Sequence, residues 1–353
     1  MFQESVTYPA DESYPFAVVA KRYWTEAFEA NASDPEAPTL IFLHSTSFHK
    51  ETWEPTLTHL FHLLAGSSRA GKIREAWALD CPNHGEASAI NEAVFNRPEN
   101  RQSFTCEKYA QAAHRFLTAG PQHGAKVDFL RRNLVGIGHS LGGVAMSALQ
   151  GIEPRLPFSS IIIVEPMLSP DGRHHLERLR KALVKSAKER RHVWPDRECA
   201  RQYLQERMKL PGRQIWDPRV IDLFVEYGLK PHPNGITLAC SREEEEGMYE
   251  DVEGPTRPVI ALTAACQRMP VHIAFGCLVD YMYHPASSLR YCTYANPHAS
   301  TDHSKFVLLR SILDPDASSR VYRGSKVPQI VPEKLATVLF NGLAQNHATK
   351  SKL

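Results

Sequence analysis

A chain of 353 residues with a formal net charge of +2 lacks the charge excess that coats a nucleic acid or draws a protein to a membrane surface. No apolar stretch approaches the roughly 18–20 residues of a spanning helix, and the start, MFQESVTYPADESYPF, has neither the basic nor the apolar region of a secretory leader. Seven cysteines, an odd number with no CxxC pair, read as free thiols of a reducing compartment and not as a zinc site.

The length exceeds the usual ~100–200 residues per domain, but α/β proteins often run longer as one unit. The first clear strand is the apolar run Thr39-Leu40-Ile41-Phe42-Leu43, of the kind buried on both faces. A polar loop, HSTSFHKETWEP, leads to an amphipathic helix around residues 55–64. Glu75–Leu79 reads as a second strand ending at Asp80, and a helix follows over about 106–117. A third strand, NLVGI, runs into Gly138-His139-Ser140, and a helix, LGGVAMSALQ, starts at once. A fourth strand is SIIIV, residues 160–164. Residues from about 168 to 255 are charged and helical in pattern, as an inserted cap would be. Strand character returns at 271–275 and 319–322, and a last amphipathic helix covers about 332–345. Strands alternating with helices predict a doubly wound, mostly parallel α/β sheet with a helical cap.

Gly138-His139-Ser140-Leu141-Gly142 matches G-x-S-x-G in the setting that gives the pattern meaning, a strand before and a helix after. The turn is too tight for side chains at its flanks, and the helix N-terminus favours developing negative charge. Ser140 is therefore the candidate nucleophile. The oxyanion hole is expected from the N–H of Leu141 and an N–H of the loop after the first strand, at Ser45 or Thr46. His44, which starts that loop, is expected to hold it in place more than to act as a base.

Three segments, LIFLHSTSFHKETWEP, LDCPNHGEAS and VGIGHSLGG, resemble the oxyanion-loop, D-x-x-G-H-G-x-S and elbow segments of the α/β-hydrolase superfamily, with Asn83 replacing the first glycine of the second. The cap segments VWPDRECARQYL and WDPRVIDLFVEYGL, with the terminal SKL, are similar to fungal peroxisomal hydrolases of toxin and polyketide biosynthesis, of the mycophenolic acid acyl-CoA hydrolase and Alternaria host-toxin types. The resemblance implies an α/β-hydrolase core over 1–167 and 266–350, a cap over 168–265, and hydrolysis of an acyl thioester or ester without metal or cofactor.

Such a serine needs a base, and the base a carboxylate, in the chain order Ser, acid, His. Two carboxylates compete: Glu165, directly after SIIIV, and Asp280, after VHIAFGCLV. The resemblance favours Glu165. By the same resemblance Ser325 stands where the base histidine is expected, and serine cannot serve as a base near neutrality. His284, His298 and His303 remain as candidates.

The cationic stretch RHHLERLRKALVKSAKERR, residues 173–191, would attract an anionic substrate such as a CoA phosphate, or simply form a solvated helix face. The acidic run Glu243–Glu246 would partly neutralise it, or form a solvated loop. Neither the full phosphate-loop pattern GxxxxGK[ST] nor GxGxxG occurs, since GSSRAGK at 66–72 is followed by Ile73, which argues against a nucleotide cofactor. Ser351-Lys352-Leu353 reads as a peroxisomal address taken by an import receptor. Two functions follow: a peroxisomal serine hydrolase, or a pseudo-hydrolase that binds, isomerises or cyclises a pathway intermediate. A purely structural role is disfavoured by the intact elbow.

Overall fold

The computed structural model describes residues 1–67, 72–170, 172–174, 176–210, 215–274, 306–309, 329 and 331–350, with 306–309 and 345–350 described by their backbone alone. In chain order the first half contains β1 (Phe2–Tyr8), β2 (Val18–Trp24), α1 (Glu26–Glu29), β3 (Thr39–Leu43), α2 (Glu54–Ala65), β4 (Glu75–Leu79), α3 (Gly85–Ile90), α4 (Glu92–Phe95), α5 (Cys106–Thr118), β5 (Leu134–His139), α6 (Leu141–Leu149) and β6 (Phe158–Val164). There follow α7 (Glu177–Glu189), β7 (Val193–Trp194), α8 (Arg197–Lys209), α9 (Pro218–Tyr227), β8 (Leu229–His232), β9 (Gly235–Leu238), α10 (Arg242–Glu250), α11 (Pro258–Cys266), β10 (Val271–Ala274), β11 (Phe306–Leu309) and α12 (Pro332–Lys350).

Eight strands form one sheet in the order β1-β2-β4-β3-β5-β6-β10-β11. The six from β4 to β11 run parallel, and β1 and β2 are antiparallel additions at one edge. The expected parallel α/β sheet is therefore present. Every residue of β3 and β4 is buried, because helices cover both faces. On one face α5, α6 and α11 pack against Ile41, Leu43, Trp77, Ile161 and Ile163. On the other, α2 and α12 pack against Leu40, Phe42, Ile137 and Ile162. Each such aliphatic or aromatic side chain taken from water stabilises the fold by about 1.5–3 kcal/mol.

Between β6 and β10 the chain builds the cap, and this cap is not wholly helical. Strands β7, β9 and β8 form a separate three-stranded antiparallel sheet. Strands of two and four residues are too short to show a period of two, which is why the sequence reads as helical there. Helices α8 and α9 begin at capping aspartates: Asp196 accepts the Cys199 N–H at 2.7 Å, and Asp217 accepts the Arg219 N–H at 2.9 Å just before Pro218. The cap has its own apolar centre of Trp194, Ala200, Phe224, Leu229 and Leu238. By packing, α11 belongs to the sheet layer and not to the cap, since Leu262 and Ala265 join the cluster around α6.

The basic stretch is α7 and its flanks, and much of its charge is met. Lys181 pairs with Glu177 at 2.7 Å, and Lys188 with Glu246 at 2.7 Å on α10. The strand expected at 319–322 lies outside the described residues, as does the tripeptide 351–353. Among the described residues no helix is long and apolar enough to cross a membrane.

Candidate active site

Ser140 sits between β5 and α6 with φ 52° and ψ −119°, a backbone region disfavoured for a residue with a side chain. The neighbouring glycines show how it is held there. A Cβ on Gly138 would lie 2.6 Å from the Gly142 carbonyl oxygen and 2.8 Å from the Gly143 Cα. A Cβ on Gly142 would overlap the carbonyl oxygens of Leu43 and His44. The turn closes only without those atoms, and α6 thereby abuts the chain leaving β3. The Ser140 N–H is fixed by the Val164 carbonyl at 2.9 Å, and Ser140 itself stays half-buried where its neighbours are buried.

The contact at Gly142 sets the N-terminus of α6 against the segment leading into Ser45 and Thr46. Among the described residues no acceptor takes the N–H groups of Leu141, Ser45 or Thr46. His44 is a structural histidine. Its Nε2 accepts the Cys81 N–H at 3.0 Å, so its Nδ1 carries the proton and donates to the Ser45 carbonyl at 2.7 Å. Burial lowers its pKa to about 4 in spite of the nearby Asp80 carboxylate. Its own N–H donates to the Tyr109 hydroxyl, which donates on to the Leu79 carbonyl at 2.8 Å.

Glu165 follows β6, and His139 pairs in register with Val164, so Ser140 and Glu165 are the next residues of two neighbouring strands. Glu165 is buried, has φ 44°, and donates its N–H to the Ala274 carbonyl at 2.8 Å. Its Oε2 lies 3.8 Å from His139 Nε2. Two non-glycine residues with positive φ thus end adjacent parallel strands on the sheet's carboxyl edge, where strain is kept when function needs it. The structure brings Ser140, Leu141, Ser45, Thr46 and Glu165 to this edge. Asp280, His284, His298, His303 and Ser325 lie outside the described residues. Among the described residues no histidine hydrogen-bonds to the Ser140 hydroxyl, and no cluster could hold a metal ion.

Behind the loop after β3 lies an ion cluster that the sequence pattern did not single out. Lys50 is fully buried, and its ammonium reaches Asp80 Oδ2 at 3.0 Å, Glu51 Oε1 at 3.0 Å and Glu86 Oε2 at 3.1 Å. The Lys50 N–H also donates to Asp80 Oδ1 at 2.8 Å. Burial by itself would lower the lysine pKa, but Asp80 and Glu51 outweigh it and raise it. A lysine directly before a glutamate in HKETW is the one local hint of this role.

A sequence profile of the alpha/beta hydrolase family matches residues 40–317. The type I acyl-CoA thioesterase mpaH of Penicillium roqueforti is 27% identical over 207 residues, covering 57% of this chain and 42% of that protein. The abhydrolase domain-containing protein AFT2-1 of Alternaria alternata is 28% identical over 109 residues, 31% of this chain and 38% of that one. These matches span less than half the length of the curated relatives. Among solved structures, the peroxisomal alpha-beta-hydrolase Lpx1 from Saccharomyces cerevisiae superposes with a TM-score of 0.67 at 16% identity, over 99% of this chain and 89% of that one, a likeness of fold.

Proposed function

We propose that this chain, which belongs to the alpha/beta hydrolase family, cleaves an acyl thioester or ester with Ser140 as its nucleophile. The observation that carries the reading is the strained Ser140 at the β5–α6 turn, beside the strained Glu165 and the N–H groups of the neighbouring loop that no acceptor takes among the described residues. Ser140 Oγ would attack the carbonyl carbon while a base takes its proton. The N–H groups of Leu141 and of Ser45 or Thr46 would hold the tetrahedral oxyanion. Breaking the C–S or C–O bond releases the thiol or alcohol with that proton, and water then frees the acid from the acyl-serine. Glu165 is assigned the orienting carboxylate, and the base is sought among His284, His298 and His303. The likeness to acyl-CoA thioesterase mpaH supports a CoA thioester, and the resemblance to fungal hydrolases of toxin and polyketide biosynthesis supports a substrate from secondary metabolism.

Thiol release from a panel of acyl-CoA thioesters tests this. Ser140→Ala should lower kcat by about four powers of ten or more. Ser325, at the position expected for histidine, favours a second reading in which the pocket binds or rearranges an intermediate. Turnover absent from the wild type, or indifferent to Ser140, would move the assignment there.

Peroxisomal delivery is also proposed, on Ser351-Lys352-Leu353 read by an import receptor. A fluorescent protein fused ahead of the chain should collect in peroxisomes and become diffuse when these three residues are deleted; an unchanged distribution would refute the signal.

A further inference from the structure

Ser47, one residue past the expected oxyanion donors, has φ 71°, a left-handed backbone that a non-glycine residue adopts at a cost of about 1–3 kcal/mol. It is held from two sides. From the sheet domain, His84 Nε2 accepts the Ser47 N–H at 2.9 Å, and His84 Nδ1–H donates to Asn83 Oδ1 at 2.6 Å. Burial keeps this imidazole neutral, so the acceptor nitrogen is available. From the cap, Glu245 of α10 accepts the Ser47 hydroxyl proton on Oε1 and the Arg190 guanidinium on Oε2. Arg190 Nη1 also reaches Ser47 Oγ at 3.2 Å, and the Tyr249 hydroxyl stands 3.5 Å from Glu245 Oε1. The Glu245 carboxylate is buried, and the bond to Ser47 joins residues 198 apart in the chain. The next residue, Phe48, inserts into the cap's apolar centre, its ring 5.0 Å from Trp216 and 6.0 Å from Phe224 between centroids.

Two consecutive residues of a sheet-domain loop are therefore anchored in the cap, immediately after the residues assigned to the oxyanion hole. Such a hole works only when its donors are already in place, and a misplacement near 1 Å costs about 100-fold in rate. We propose that Glu245, bridged to Arg190, is a positioning residue that clamps Ser47 and so holds the Ser45–Thr46 segment in line with the N-terminus of α6. This rests on the hydrolytic reading above. It assigns the cap a part in transition-state geometry.

The test measures two things on the full chain: steady-state thioester hydrolysis, and hydrogen exchange over residues 44–49. Glu245→Ala should speed exchange of the Ser47 amide and lower kcat by about 10- to 100-fold, with KM within about threefold of wild type. Glu245→Gln keeps an acceptor for the Ser47 hydroxyl and should recover most of kcat. Should Glu245→Ala not fold, Arg190→Ala loosens the same clamp from its other partner and is read the same way. Exchange and kcat both at wild-type values would overturn the proposal, as would a loss carried by KM alone. Wild type without Ser140-dependent turnover would sink the hydrolytic reading and the oxyanion role with it. In that event faster exchange still upholds the clamp, and unchanged exchange removes it.

Discussion

Lys50 carries a charge with no access to water, and its environment is built around that charge. Asp80 and Glu51, both buried, depend on it in return. For the Glu51 carboxyl, burial alone would raise the pKa, but a hydrogen bond from His49 and the Lys50 charge hold it down at about 2. Glu86, half exposed on α3, adds little, as surface pairs do. Replacing Lys50 by methionine keeps the stem's volume and strands two buried carboxylates. The expected loss is about 3–5 kcal/mol of unfolding free energy, read as a lower urea midpoint. A loss under about 1 kcal/mol would mean that Asp80 and Glu51 find other partners or take up protons at little cost. The cluster lies where Asp80 ends β4 and Lys50 follows the Ser47 loop, so its removal should also loosen that loop.

At the scale of elements, legibility followed burial. The strands β3, β4, β5 and β6 are covered on both faces, so each had to be a nearly continuous apolar run, and the sequence shows them as such. The elbow was legible for a sterically stronger reason, because Gly138 and Gly142 leave no room for a Cβ. The β1–β2 hairpin escaped notice: β1 is a largely exposed edge, FQESVTY, whose apolar face of Phe2, Val6 and Tyr8 is broken by Glu4. The cap strands escaped because they are too short to show alternation. Of the site, the parts within a few residues of one another could be read from spacing alone. The clamp could not, because Ser47 and Glu245 meet only once the cap has folded back over the sheet. The acidic run did signal a partner, and the structure divides its work: Glu246 meets Lys188 on α7, while Glu245 turns inward to Arg190 and Ser47.

At the scale of the whole molecule, two buried neutral histidines make the fold sensitive to acid well before its carboxylates are protonated. Burial lowers His44 to about 4 and His84 well below its ordinary value. In the unfolded chain each would titrate near 6.5. A group whose folded pKa is depressed contributes stability that is complete above its unfolded pKa and is lost as pH falls toward the folded one. For His44 that window runs from about 6.5 down to about 4, and for His84 it starts at the same upper edge and runs down to that group's own depressed value. Within it each histidine removes about 1.4 kcal/mol per pH unit, together close to 3 kcal/mol per unit against a total stability of about 5–15 kcal/mol. Glu51 contributes in the same direction only later, as pH drops from its ordinary range toward about 2. Urea midpoints measured at pH 7.5, 6 and 5 should therefore fall steadily below about 6.5, and a flat series would show that the histidines escape burial or charge without cost. Protonation of His84 would also remove the nitrogen that accepts the Ser47 N–H, but burial holds that step well below the ordinary histidine range, so in the folded protein the loop beside Ser140 should stay fixed while the global stability is already falling. Protection of residues 44–49 against exchange in the folded protein, corrected for the intrinsic rate, should therefore hold from pH 7.5 to 6, and protection lost over that range would show that His84 is already protonated there.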